Sequence, residues 1–319
     1  MNRDEYNRLI WISGKIVPLK DATINVLSPT AQFGANVFEG IRCYWNDTKQ
    51  ELYAFRLVEH YVRLQNSMKM FRMGNIYSMD ELRQGLIDVI KANNYKEDIA
   101  VRQTVFIDGF GSWHSKEPVN MFIAPIPRKR LENSLDEGLR CCISSWERIS
   151  DNNISPKVKV GANYINSRMA HMEAVENGYD SAILLNNHGK VAEGTGACLF
   201  IVRDGVLITP PTSASILESI TRSTIIELAR KELNLDVLEM EINRTDLYIC
   251  DEAFLCGSAV EVKPIINIDG YTIGTGQVGE ITKRIYELYL SAVYGELQGY
   301  EKWLTPIYQD VDRIEGVIT

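Results

Sequence analysis

Short runs rich in β-branched and aromatic residues recur along the whole chain, broken by a few stretches of helical period, and the two kinds of segment do not alternate one for one. A parallel doubly wound sheet needs strict strand–helix–strand alternation, so the pattern argues against it and predicts an α+β protein. In the first part, LIWI and KIVP flank Ser13-Gly14, and IRCYW and ELYAF flank Asn46-Asp47, each pair reading as two strands across a turn. Leu57, Tyr61, Leu64, Met68 and Phe71 recur at spacings of three and four, which predicts one apolar stripe of a helix. Ser78 and Glu81 make a capping-box pair ahead of a second helix that runs to Asn93. IAVRQTVFI and VNMFIAPIP complete this unit near Pro127.

Residues 128–137 are polar, largely charged and without alternation, which predicts a linker between domains at 1–127 and 138–319. Beyond it LRCCISSW, PKVKV, SAILLN, ACLFIVR, VLITP, DVLEMEI and EAFLCGSAVEV read as strands, with helices at 164–177, 216–233 and 278–294. A chain of 319 residues is long enough to bury roughly three quarters of its unfolded surface without a disulfide or metal staple. The 42 acidic and 34 basic side chains leave a net charge of −8, which excludes a general nucleic-acid binder, and Arg128-Lys129-Arg130 is too short for a basic tail. No apolar run is long enough for a secretory signal or a membrane span, and the six cysteines sit in or beside apolar runs without a Cys-x-x-Cys motif. These features lead to the expectation of a cytoplasmic protein with reduced core thiols and no membrane partner.

Gly274, Gly276 and Gly279 spell G-x-G-x-x-G ahead of a helix, with Glu296 some twenty residues on, and invite a nicotinamide oxidoreductase reading. The chain ends too soon after that acid for the second half of a dinucleotide fold, so the glycines read instead as a helix entry after an Asp269-Gly270 turn. The four histidines are scattered, and no metal-ligand, nucleophile-elbow or phosphate-loop pattern is present. Four other segments carry chemistry together. In Pro156 to Tyr164, strand alternation sets Lys157 and Lys159 on one face, Asn163 can cap a helix, and Tyr164 in its first turn brings a phenol near the amines. Glu193 stands among small residues in Val191 to Gly196, and Glu218 to Arg222 opens a helix whose N–H groups suit an anion. Cys256 to Glu261 is a small-residue turn able to offer backbone N–H groups.

Six ordered blocks carry a resemblance: Phe33 to Arg42, Glu59 to Leu64, Lys159 to Tyr164, Glu193 to Gly196, Ile220 to Arg222, and Cys256 to Ala259. On these blocks the chain, from Ile10 to about Leu290, resembles the class IV (fold type IV) pyridoxal-phosphate aminotransferases, and the branched-chain aminotransferases most closely. The resemblance implies two domains, a small α/β N-terminal lobe and a larger strand-rich pseudo-barrel C-terminal lobe. It implies pyridoxal 5'-phosphate as cofactor and a homodimer whose active sites are each finished by a loop of the neighbouring chain. Lys159 is then the lysine joined to the cofactor, with Lys157 a bystander. Arg63, Ser258 and the N–H groups of Ile220 and Thr221 hold the phosphate, Tyr164 meets the ring hydroxyl, and Glu193 pairs with the ring nitrogen. Phe33, Phe38 and Arg102 line the substrate side, and the Ser258-Ala259 turn takes the substrate carboxylate.

The implied reaction moves an amino group from an L-amino acid to 2-oxoglutarate or a related 2-oxo acid. The chain departs from the family at Phe33, where Tyr is common, at Ala100, where an aromatic Tyr is usual, and at Arg128, near a usual Trp. A smaller wall and added positive charge favour a bulkier or acidic side chain. Ser28-Pro29-Thr30 stands where D-amino-acid and lyase relatives carry Asp-Arg-Gly, which favours the L-specific branch. D-amino-acid transamination and aminodeoxychorismate lyase activity remain the alternatives within the family, and a non-catalytic scaffold the alternative outside it.

Overall fold

The computed structural model describes residues 7–128, 135 and 137–309. They belong to two compact units, Met1–Arg130 with Ser291–Thr319, and Leu131–Leu290. The linker expected at 128–137 falls mainly on residues 129–134 and 136, outside the described residues. The expected second domain, 138–319, is too long at its end, because the described residues from Ser291 onward cluster with the first unit.

The first unit is a seven-stranded, wholly antiparallel sheet in the order β16-β4-β3-β5-β6-β1-β2. Its strands are β1 (Leu9–Ile12), β2 (Lys15–Pro18), β3 (Asn36–Asn46), β4 (Glu51–Phe55), β5 (Ile99–Ile107), β6 (Val119–Pro127) and β16 (Leu304–Pro306). A short helix the periodicity did not reveal, α1 (Pro29–Phe33), is capped by Ser28. The expected helices are α2 (Leu57–Met70) and α3 (Met79–Asn93), the latter starting on the Ser78/Glu81 capping box. Gly85 lets α3 lie close on the sheet: a Cβ there would come within 2.9 Å of Ile123 and 3.3 Å of Trp11.

Because β3 pairs with β5, Phe38, Gly40 and Arg42 stand opposite Thr104, Arg102 and Ala100, and these six share a face. Glu39 and Gln103 lie on the other face, where Tyr61 on α2 donates to Gln103 Oε1 at 3.1 Å and to the Leu82 carbonyl at 3.0 Å.

The C-terminal strand is held by one buried carboxylate. Glu51 Oε1 accepts the N–H groups of Leu52, Ile307 and Tyr308 at 2.8, 3.0 and 2.8 Å, and Oε2 that of Gln309 at 2.9 Å.

The second unit is a nine-stranded mixed sheet in the order β12-β11-β10-β13-β14-β7-β8-β9, with β15 on β14. Its strands are β7 (Leu139–Ile143), β8 (Ser181–Leu185), β9 (Val191–Gly194), β10 (Cys198–Arg203), β11 (Val206–Thr209), β12 (Val237–Glu239), β13 (Glu252–Gly257), β14 (Glu261–Ile268) and β15 (Tyr271–Thr272). The edge strand β9 leads within three residues into β10, which lies near the other edge, and the Gly194 N–H donates to the Ala197 carbonyl at 2.8 Å. The sheet therefore curls. Cys141, Ile183, Val191, Leu199, Leu255 and Ile265, from six strands, meet in one buried cluster on its concave side. Helix α4 (Tyr164–Glu176) covers the other face of β8 through Ala170 and Ala174, and α5 (Ile220–Glu232), α6 (Arg244–Tyr248) and α7 (Glu280–Val293) follow. This is the expected α+β architecture in two domains.

Two local readings are corrected. Pro156 to Val160 is a turn, not a strand, because the Asn163 side-chain amide donates to the Ser155 and Val158 carbonyls, at 3.1 and 3.0 Å, which a strand would offer to a neighbour. The run EAFLCGSAVEV is two strands, β13 and β14, joined by a turn at Ser258 to Val260. The three glycines behave as a helix entry. A Cβ on Gly274 would sit 2.2 Å from the Asp251 carbonyl oxygen, and the Glu252 carboxylate fills the start of α7, accepting from the N–H groups of Ile281 and Thr282. An anion already occupies the place a dinucleotide phosphate would need. All six cysteines are buried and none forms a disulfide, and no described helix is long and apolar enough to cross a membrane.

Replacing Glu51 by Ala removes four charge-assisted acceptor contacts and is expected to lower the free energy of opening the C-terminal strand by roughly 2 kcal/mol. Hydrogen exchange at Ile307, Tyr308 and Gln309 should then run about thirtyfold faster. Unchanged protection there refutes the anchoring role.

Candidate active site

In the second unit the structure brings the sequence-predicted groups onto neighbouring elements. Lys159 leaves the 155–160 turn just before a 3-10 turn at Gly161–Asn163, from which α4 runs. Its Nζ donates to Tyr164 Oη at 2.9 Å. Val158 and Val160 are buried and anchor the turn from either side of Lys159, while Lys157 points outward, 3.6 Å from Glu218. The facing expected from alternation survives although the strand does not. Asn163 makes no capping bond to α4, and its amide instead ties down the carbonyl immediately before Lys159.

Glu193 is carried by β9 and is 4% exposed. Arg148 Nη2 lies 2.7 Å from its Oε1, with both side chains buried. The Leu217 N–H donates to Oε2 at 3.2 Å, and Cys198 Sγ, on β10, makes a longer contact with the same oxygen at 3.8 Å. Burial raises the Glu193 pKa, and the charge of Arg148, the Leu217 N–H, the charge of Lys159 and the Cys198 thiol oppose that rise without cancelling it. Here is a carboxylate in a dry place, supported by two cations.

The chain that supplies Leu217 runs directly into α5. Ser219 caps that helix, accepting from the Arg222 N–H at 3.2 Å, and the N–H groups of Ile220 and Thr221 lie in its first turn, where no intrahelical acceptor exists. Arg222 is buried and fastens the helix start to β11, donating to Thr209 Oγ1 and the Pro210 carbonyl, with Glu239 as ion partner at 2.8 Å. Cys256 pairs in register with Cys198, so Gly257, Ser258 and Ala259 follow on from the strand beside Glu193's contacts. Gly257 runs beside the 196–197 segment, where a Cβ would make an ordinary contact, 3.6 Å from the Gly196 carbonyl oxygen.

Arg63, Phe33, Phe38 and Arg102 belong to the first unit. Arg63, on α2, is held side-on by Glu39, Nε to Oε1 and Nη2 to Oε2, both at 2.7 Å, and His60 Nδ1 meets Oε2 at 2.7 Å. Burial pushes the Glu39 carboxyl up, but the charges and hydrogen bonds of Arg63 and His60 together hold it well below the ordinary carboxylate range. The Arg102 guanidinium lies over the Phe38 ring, 3.1 Å from its centroid, while Phe33 at the end of α1 is half exposed. Ala100 stands in register opposite Arg42, so the position where an aromatic was expected borders a buried guanidinium.

Sequence reasoning missed Arg148, Glu39 and the Leu217 N–H. Arg148 belongs to no motif, and its only signal is that a buried carboxylate at 193 requires a cation from somewhere in the fold. Chemically, the second unit offers an amine touching a phenol, a buried carboxyl paired with a guanidinium, and a helix N-terminus with a small-residue turn for anions.

The sequence pattern of the family described as amino-transferase class IV matches residues 36–268. The chain belongs to that family and is an aminotransferase. A probable branched-chain-amino-acid aminotransferase of Aquifex aeolicus is 41% identical over 300 residues, 93% of this chain and 96% of its own. The branched-chain amino acid aminotransferase of Thermobaculum terrenum, solved in its PLP-form (holo-form), superposes with a TM-score of 0.89 at 42% identity over 96% of this chain and 100% of that one. The T.th. branched-chain amino acid aminotransferase, solved with N-(5'-phosphopyridoxyl)-L-glutamate and with 4-methylvaleric acid, superposes at 0.88 with 38% identity over 94% and 98%.

Glu39 yields a pH prediction. Its pKa is lowered in the folded chain, so its stabilising contribution is present above the unfolded value of 4.5 and drains away as the pH falls below it. Thermal melts from about pH 3 to 6 should show a steeper acid loss in the wild type than in Glu39→Gln. Parallel curves would refute the buried cluster as a source of acid sensitivity.

Proposed function

We propose that this aminotransferase uses pyridoxal 5'-phosphate and moves the amino group of a branched-chain L-amino acid to 2-oxoglutarate or a related 2-oxo acid. The observation that carries the reading is Lys159 Nζ in hydrogen-bond contact with Tyr164 Oη, its charge also acting on the buried Glu193. The donor set fits the cofactor. An amine can join its aldehyde, a charged carboxylate suits a protonated ring nitrogen, a phenol suits the ring hydroxyl, and the first turn of α5 suits its phosphate. Lys159, Glu193 and Tyr164 take those three roles. The Ile220 and Thr221 N–H groups and Ser258 take the phosphate.

When bound, the cofactor supplies an electron sink for the pair released when the substrate Cα–H bond breaks. Lys159 Nζ takes that proton from the α-carbon and returns it on the product side, acting as base and acid in turn. Tyr164 Oη, 2.9 Å away, keeps the amine directed as it does so. Glu193 stays an acceptor-only carboxylate and favours the protonated ring nitrogen. The turn at Ser258 and Ala259 binds the substrate carboxylate. A homodimer and a cytoplasmic location accompany this reading. The relatives' names and the 4-methylvaleric acid complex of the T.th. enzyme support the branched-chain assignment.

Lys159→Ala is expected to lose at least about 10³-fold in turnover, and Lys157→Ala to stay near wild type. Borohydride reduction of the cofactor-loaded protein, followed by peptide mapping, should place the label on Lys159; a label elsewhere overturns the assignment. A panel of L- and D-amino acids with 2-oxoglutarate should favour the L-branched-chain donors. Preference for acidic donors would shift the specificity to the charged surroundings of Ala100.

A further inference from the structure

Arg148 follows β7 by five residues and is anchored by its backbone N–H, which donates to the Leu185 carbonyl on β8 at 2.8 Å. Its guanidinium then turns to Glu193, Nη2 to Oε1 at 2.7 Å, while Nη1 lies 3.4 Å from Asn166 Oδ1 on α4. Arg148 Nε is buried with no hydrogen-bond partner among the described residues. A guanidinium buried with one N–H unsatisfied is a poor choice for packing, and apolar residues of similar volume usually serve stability as well as a buried ion pair. Its placement is explained by what it does to the carboxylate.

We propose that Arg148 is a positioning residue of the transamination site, keeping Glu193 ionised and fixed in direction toward the cofactor's ring nitrogen. The inference rests on the cofactor reading given above. The titratable and charged groups that face Glu193 are Arg148, Lys159 near the head of α4, Cys198 on β10 and Cys256 on β13. The two cysteines carry no positive charge. Lys159 is the group that bonds and releases in the reaction, so its charge changes during turnover. Arg148 is the constant cation, and its Nη2 holds one oxygen while the Leu217 N–H holds the other. Without it the buried carboxyl would take up a proton at higher pH and become a donor toward a nitrogen that must itself carry the proton.

The test uses cofactor-loaded protein and two readouts, the pH titration of the bound cofactor's visible band and the division of any loss between kcat and KM. Arg148→Met should displace the band's titration and lower kcat about tenfold or more, the effect of one pKa unit, with KM for the amino donor changed less than about threefold. Arg148→Lys, which keeps the charge, should recover most of both. In a Glu193→Gln background the same Arg148→Met change should alter either readout less than about twofold, because its effect passes through the carboxylate. An unaltered titration in Arg148→Met, or an equal loss in both backgrounds, overturns the proposal. If Arg148→Met alone does not fold, Arg148→Gln replaces it: a displaced titration that Arg148→Lys restores supports the role, and an undisplaced one refutes it. A wild-type protein that acquires no visible band with pyridoxal phosphate overturns the cofactor reading and this inference with it, whereas a normal wild-type band indifferent to Arg148 overturns the inference alone.

Discussion

Glu193 holds its carboxyl where little solvent reaches, beside the Arg148 guanidinium, and the arrangement around it in the second unit supplies its partners. A carboxylate moved out of water is stable as an anion only with a cation and hydrogen-bond donors around it. Here those come from four separate stretches: Arg148 after β7, Lys159 before α4, Cys198 on β10 and the Leu217 N–H ahead of α5. Two of these stretches are also attached to other parts of the proposed site. Leu217 leads into the α5 N-terminus, and Cys198 faces Cys256, two residues ahead of Ser258. The curled sheet is what allows one side chain on an edge strand to collect partners from both ends of the strand order.

The same device recurs in structural roles. Glu51 collects four backbone N–H groups and fastens the last strand, Glu252 caps α7 from a neighbouring strand, and Glu173 receives the Ser144 and Ser145 hydroxyls and so ties α4 to the end of β7. Glu39 does this with side chains, gathering His60 and Arg63 on α2. Carboxylates with satisfied oxygens, buried at Glu39 and Glu51 and partly exposed at Glu173 and Glu252, give this fold several directional fasteners between segments that apolar packing alone would leave free to slide. In the proposed active site one of them also meets the cofactor.

Much of the architecture was legible because its cues are local. Ser78 and Glu81, the Ser13-Gly14 turn, and the stripe from Leu57 to Met68 act within a few residues, and each element stands where those residues point. The turn carrying Lys159 was misread as a strand because alternation of Val158 and Val160 gives the same burial in either conformation, and only the reach of Asn163 back to Ser155 and Val158 separates them. The glycines at 274, 276 and 279 show the converse. Their spacing mimics a phosphate loop, yet a carboxylate from β13 already caps the helix that follows.

By itself the order of residues determined most of the strand and helix menu, the α+β class and the family, since periodicity, capping and motif spacing are near-neighbour properties. Only the tertiary structure decided that Arg148 meets Glu193, that Glu39 grips Arg63, and that the strand at Leu304–Pro306 returns to β4. Those pairings join positions far apart in the chain, and their strength comes from exclusion of water, which exists only once the sheets have closed around them.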